Sequence, residues 1–318
     1  MANPEICCRR TPKRGTSSRR FLTSSMSPLL AIFCSLFGLN YLHLIEERCG
    51  IVNAYNVVRV CRNKHCCKRT KVDVLQTIYN LIDTNSDIVV EQSGCLSNCD
   101  KGPNVEVNTK SGTVLLNGMT DAQTCAFQLG ELSSSTPSFP PIPKILIAAS
   151  KVIEQSREFS ASGQLEEEIR FLTSVIDKLE VSPAVPPLTS ANADAHAFRA
   201  QAHLRLAREQ KERIPSDPNK KFPEGDALAA SIHDAQRVVR DLTAVATPAS
   251  LSLAYRTWTD AELFLAEQRE QQQREIEKGT TKKKDFSRVV AVLTEWYRAQ
   301  PMYRTKLQGE IQGLLLNM

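Results

Sequence analysis

Neither a P-loop nor a G-x-G-x-x-G glycine loop occurs in the chain, and no Ser-His-Asp or Cys-His spacing can be drawn from it. The usual signatures of nucleotide binding and nucleophilic catalysis are therefore missing. A long apolar run is missing too. The most hydrophobic stretch, Leu29 to Leu44, is broken by Ser35, Asn40, Tyr41 and His43, whereas a spanning helix needs about 20 mostly apolar residues. Ten cysteines in 318 residues are too few for a disulfide scaffold. The net charge of +5 is concentrated in residues 1–54, which carry seven basic against three acidic side chains, leaving +1 on residues 55–318. A nucleic-acid groove needs a basic footprint, so nucleic acid is not an expected partner. Apolar and charged fractions of 42% and 24% are those of a folded chain, and the length suits about two domains.

What is present begins with an address. "RRTPKRGTSSRR" is basic and rich in Ser and Thr, and "SPLLAIFCSLFGLNYLHLI" after it suits the apolar core of a signal peptide. "IVNAYN" offers small residues for cleavage after Ala54. The aromatic directly after that site resembles the two-part plastid-targeting presequences of algae with secondary plastids. Residues 1–54 are thus expected to be a targeting presequence with a plastid (chloroplast) destination. Another organelle, the secretory pathway and a membrane anchor are the alternatives these residues leave open, and no stable membrane span is expected in the mature chain.

Six of the cysteines lie between 61 and 125, and clustering of this kind points to metal or redox chemistry. "YNVVRVC" alternates and is β-branched, so it reads as a strand ending at Cys61. "TKVDVLQTIYNLIDTN" places Val72, Leu75, Ile78, Tyr79, Leu81 and Ile82 on one helical face. "DIVVEQSG" reads as a second strand, and "NVEVNT" and "TVLLNG" as a hairpin with Gly112 at its turn. "TDAQTCAFQLGEL" opens with a Thr/Asp cap and closes the region as a helix. The order β-α-β-β-β-α over residues 55–134 is close to a thioredoxin-like plan. Cysteines sit on the loops after the first and second strands, spaced Cys61-x4-Cys66 and Cys95-x3-Cys99. Two pairs at neighbouring strand ends can converge on four-thiolate ligation, which a 2Fe–2S cluster requires and zinc also accepts.

Here the pattern becomes specific. "VRVCRNKHC" followed by "VEQSGCLSNCDKGPNVEV" resembles the thioredoxin-like 2Fe–2S ferredoxins. It also resembles the related domain in the small iron–sulfur subunit of the complex I flavin module and in bacterial hydrogenase subunits. Gly94, Cys95, Cys99, Gly102 and Pro103 stand where that pattern has them. The resemblance covers about 80 of 318 residues and implies Cys61, Cys66, Cys95 and Cys99 as ligands of a 2Fe–2S cluster. Plant-type C-x4-C-x2-C spacing is not met, because no cysteine follows Cys66 after two residues. Cys67 departs from the family pattern and is a possible alternative to Cys66. Cys125, beside Ala126 and Phe127, reads as a core thiol, and His65 as an exposed loop residue. Arg62, Lys64, Lys68, Arg69, Lys71 and Lys101 surround the site and are expected either to dock an acidic redox partner or to be a solvated loop.

"SSSTPSFPPIPK" at 133–144 reads as a Ser/Pro linker, assigned to 135–143. Beyond it no strand signal occurs. Helical patterns run over 144–160, 164–180, 191–213, 226–244, 248–277, 285–299 and 301–317, with small residues Ala193, Ala197 and Ala200 at helical spacing. Their pairing, with prolines after the second helices, resembles tetratricopeptide-like repeats of about 34 residues, with an ordinary helical bundle as the alternative. Turn lengths are unequal and the W-x2-L-G-x2-Y signature is absent. His196, His203 and His233 fall on these helices as core or surface residues. The expected whole is an α+β multidomain chain: a one-electron carrier or cluster-bearing subunit of an organellar assembly, with residues 144–318 as its protein-docking domain. The other class to be weighed is an organelle scaffold or assembly factor whose cysteine region is structural and holds zinc.

Overall fold

The alternating run Asn56–Cys61 folds as strand β1, with Val58 and Val60 turned into a core and Val57 and Arg59 turned away. The computed structural model describes residues 56–82, 87–136, 139–186, 188–213, 224–276 and 286–316, so the expected presequence lies outside the described residues. After β1 come two short helices, α1 (Lys64–Cys67) and α2 (Val74–Leu81). Strand β2 (Ile88–Ser93), a 3-10 turn (Cys99–Lys101), β3 (Asn104–Thr109), β4 (Gly112–Asn117) and helix α3 (Ala122–Ser135) follow. The four strands form one sheet in the order β2-β1-β3-β4. β1 runs parallel to β2 and antiparallel to β3, and β3 pairs antiparallel with β4. Gly112 takes φ +136° just after the Lys110–Ser111 turn, a conformation that favours glycine.

One sheet face is covered. Val58, Val60, Val105 and Val107 pack with Ile78 and Leu81 of α2 and Leu129 of α3. The opposite face is polar at its centre, where Arg59 pairs with Glu91 at 2.6 Å and Glu106 at 3.2 Å, its partners in the strand register. The segment expected as a spacer is held at one residue: Phe139 is 2% exposed and belongs to the core under the sheet, with Ile142 packed against it.

The rest is helical: α4 (Lys144–Ser162), α5 (Leu165–Val181), α6 (Ser190–Arg213), α7 (Glu224–Arg240), α8 (Pro248–Ile276), α9 (Ser287–Ala299) and α10 (Arg304–Leu316). Each packs on the next, and α6 also touches α4 and α8. Ala193, Ala197 and Ala200 are wholly buried on α6, where the absence of longer side chains lets neighbouring helices approach. The chain is a mixed α+β protein.

The cysteine region is not set apart from the helices. α2 packs on α4 and α6, and its second buried side is polar: Gln76, Thr77 and Asn80 are each less than a tenth exposed. Asp194 of α6 accepts from Gln76 Nε2 at 2.7 Å, from Asn80 Nδ2 at 2.8 Å and from Ser250 Oγ. Thr247 donates to Gln76 Oε1 at 2.8 Å. Burial pushes the Asp194 carboxyl up, against the pull of its Ser250 and Asn80 donors. Thr77 donates to Glu154 of α4 at 3.1 Å.

Candidate four-cysteine site

Cys61 and Ser93 are register partners at the ends of the parallel strands β1 and β2. Both cysteine loops therefore leave the same end of the sheet, and Arg62 N–H closes them together by donating to Ser93 O at 2.9 Å. In the first loop Asn63 caps α1 by accepting from His65 N–H at 3.0 Å. This single turn carries Cys66 fully inside (0% exposed), while Cys67 is half-buried. Cys67 lines a small cleft with Cys61, Arg62, Thr70 and Pro103.

The second loop is built around two left-handed residues, Ser97 at φ 68° and Asn98 at φ 49°, which cost free energy unless something holds them. Asn104, wholly buried, supplies the hold: its Nδ2 donates to Ser97 O at 2.5 Å and to Asn98 O at 2.9 Å. The turn brings Cys95 Sγ and Cys99 Sγ to 3.3 Å. Gly102 then passes so near the first loop that a Cβ there would lie 2.7 Å from Cys66 Sγ. α1 packs against the Cys99–Lys101 turn, and the Cys66 thiol has both Cys61 and Cys99 as thiol neighbours.

The four sulfurs thus occupy one end of the sheet in two environments. Cys61 and Cys66 are buried, Cys99 is partly covered and Cys95 is exposed. Burial pushes the Cys66 thiol up to about 12, and Cys61 and Cys99 add to it. The Ser97 N–H and the Cys99 thiol pull Cys95 down, while Cys95 in turn raises Cys99. Cys125 is fully buried in the core on α3, raised to about 12 by that burial. Among the described residues no three His, Cys, Asp or Glu side chains gather about a single metal-ion position. The arrangement is a string of thiols, with one close pair at its exposed end.

Of the basic rim, Arg62 is drawn inward to Asp73 at 2.6 Å, so its charge is engaged at the N-cap of α2. Lys64, Lys68, Arg69, Lys71, Lys101 and His65 lie on the surface. Asn104 did not stand out in the sequence; its signal was a polar residue directly after Pro103 where a strand begins.

A second polar cluster lies within the helices. His196 Nδ1 is 2.9 Å from Asp234 Oδ1, and Arg199 donates to Asp234 through Nε at 2.7 Å and Nη2 at 2.8 Å. Burial works against the charge on Asp234, yet His196 and Arg199 hold its carboxyl down at about 2. This is an ion-paired joint between α6 and α7. His233 points to solvent.

No protein-family model, no curated protein and no solved structure matches the chain.

Proposed function

We propose that the chain is a one-electron carrier, or the cluster-bearing subunit of a larger organellar assembly, holding a 2Fe–2S cluster through Cys61, Cys66, Cys95 and Cys99. The observation that carries this reading is the meeting of both cysteine loops at one sheet end, with Cys66 beside Cys61 and Cys99, and Cys99 beside Cys95. Thiols strung as neighbours suit a binuclear centre, in which each iron takes two thiolates, better than one tetrahedral zinc. The strand order β2-β1-β3-β4 with two helices on one face supports the thioredoxin-like ferredoxin resemblance. When bound, such a cluster supplies one-electron transfer.

The chain's own residues do the rest. Gly102 leaves room for the Cys66 sulfur, Asn104 fixes the turn between Cys95 and Cys99, and Val60 and Pro103 keep the inner side apolar. Lys64, Lys68, Arg69, Lys71 and Lys101 give the rim a positive field suited to an acidic partner. The paired helices, in a tetratricopeptide-like arrangement, offer the surface that fastens the chain to its assembly.

Anaerobic purification of the chain, with iron, acid-labile sulfide, visible absorbance and a reduced-state electron paramagnetic resonance spectrum, tests the reading. Iron and sulfide in equal amounts with a signal from the reduced chain are expected. Stoichiometric zinc and no cluster after reconstitution would overturn it, in favour of a structural site in a scaffold or assembly factor. Cys66→Ser is expected to abolish the signal and Cys67→Ser to spare it. Mass spectrometry of the native N-terminus tests removal of residues 1–54.

A further inference from the structure

We infer that Cys95 and Cys99 are a redox-active dithiol in the metal-free chain, closing to a reversible disulfide when they meet a low-molecular-weight disulfide such as oxidised glutathione. Their sulfurs already stand 3.3 Å apart, so about 1 Å of approach separates them from a bond of about 2.05 Å. The turn that brings them together is held from outside the pair, by Asn104 gripping the carbonyls of the left-handed Ser97 and Asn98, beside the Ser97 N–H on the Cys95 sulfur. Access makes Cys95 the point of entry, since it alone of the six described cysteines is exposed; Cys67 is as covered as Cys99, and the 3.3 Å contact is what makes Cys99 the partner. Cys95 is exposed and Cys99 partly so, whereas Cys61 (3%), Cys66 (0%) and Cys125 (0%) are closed to a solution oxidant.

The exchange runs in two steps. Cys95, as thiolate, attacks one sulfur of the small disulfide; that S–S bond breaks, one small thiol leaves, and a mixed disulfide remains on Cys95. Cys99, as thiolate, then attacks Cys95 Sγ, and the second small thiol leaves. The two cysteines give up two electrons and two protons, and the small disulfide receives both and becomes two thiols. The closed pair has no thiolate to offer a metal, so in terms of the cluster reading, on which this clause alone rests, oxidation would bar loading until a reductant reopens it.

The test uses the full chain, purified with chelator and reductant, freed of both, and exposed to oxidised glutathione either folded or in urea. Cys95 and Cys99 share the tryptic peptide of residues 72–101, so closure reads as loss of two hydrogens from that peptide. Closure in the folded chain is expected to be at least about tenfold faster than in urea, because the turn presents the pair at high effective concentration. Cys99→Ser is expected to stop at a glutathione adduct on Cys95, with Cys61, Cys66 and Cys125 unmodified. Equal rates in the two conditions, a bond from Cys99 to Cys66 or Cys67, or persistence of both thiols would each overturn the inference. Iron uptake is then followed before and after reduction. A chain that closes and reopens as described yet takes no iron in either state confirms the dithiol and removes only the cluster reading.

Discussion

Asn80 donates its side-chain amide to the carboxylate of Asp194 over 2.8 Å, joining a helix of the cysteine region to the central helix of the array. Gln76 donates to the same oxygen at 2.7 Å. A buried carboxylate surrounded by neutral donors is stable only while all of them stay in place. The bond therefore fixes how the two parts sit together as well as adding to stability.

Asp194→Ala is expected to lower stability by about 2–4 kcal/mol, since it strands the Asn80 amide without its acceptor and leaves that of Gln76 only the Ser250 hydroxyl at 3.5 Å. Asn80→Ala, which leaves Asp194 two of its three donors, should cost about 1–2 kcal/mol. Urea unfolding followed at Trp258 and Trp296 and by far-ultraviolet circular dichroism checks both. A change of only a few tenths for Asp194→Ala would show that the joint contributes little.

Gly102→Ala places a methyl group 2.7 Å from Cys66 Sγ. Either the first loop or the 99–102 turn must give way, at about 1–3 kcal/mol by the usual cost of overpacking. The metal-free chain should unfold at lower temperature, and, under the cluster-bearing role proposed above, iron bound per chain after reconstitution should fall severalfold. Unchanged values in both measurements would mean that Cys66 is less tightly seated than its burial indicates.

Asn104→Ala removes the donor to Ser97 O and Asn98 O. A loss of about 1–3 kcal/mol is expected, with faster amide hydrogen exchange over residues 95–101 as its local signature. Exchange left as in the native chain would refute the role given to Asn104.

Glu168 is 2% exposed on α5, and its Oε2 has no hydrogen-bond partner. Burial raises its pKa from 4.5 to about 7, opposed in part by Arg205 and the Ser160 hydroxyl. The folded chain therefore holds this proton more tightly than the unfolded one. The resulting stability is fully present below pH 4.5 and is lost as pH rises to 7 and beyond, a change of roughly 3 kcal/mol. Glu168→Gln should flatten that part of the stability profile, measured by urea unfolding from pH 5 to pH 8. A slope unaltered in the variant would assign the pH dependence to other groups.

The parts legible in the sequence were those whose signal is local. Alternation in "NVVRVC" marked β1, and periodicity placed the start of α4 at 144 and both ends of α6 within a residue. Spacing marked both cysteine loops. The four-residue α1 escaped notice because a single turn has no period to read. Gln76, Thr77 and Asn80 fell on what a two-domain reading takes for the solvent side of α2. Their polar partners Glu154, Asp194, Thr247 and Ser250 stand 77 or more positions further along the chain, so nothing nearby announces their burial. Phe139 was hidden in the same way, as one aromatic among prolines and serines whose composition suggests a spacer.

The burial of Phe139 has a kinetic consequence. A carrier on a flexible tether samples a neighbouring site at an effective concentration set by the tether's length. Here the connection is shortened to a few positions between Thr136 and Lys144, and Phe139 is seated in the core beneath the sheet. The cysteine loops thus have no leash on which to search. Under the carrier role proposed above, they meet a partner only in the orientation the helices impose, so encounter frequency follows tumbling of the whole chain, or its seating in an assembly, and is insensitive to lengthening any one loop.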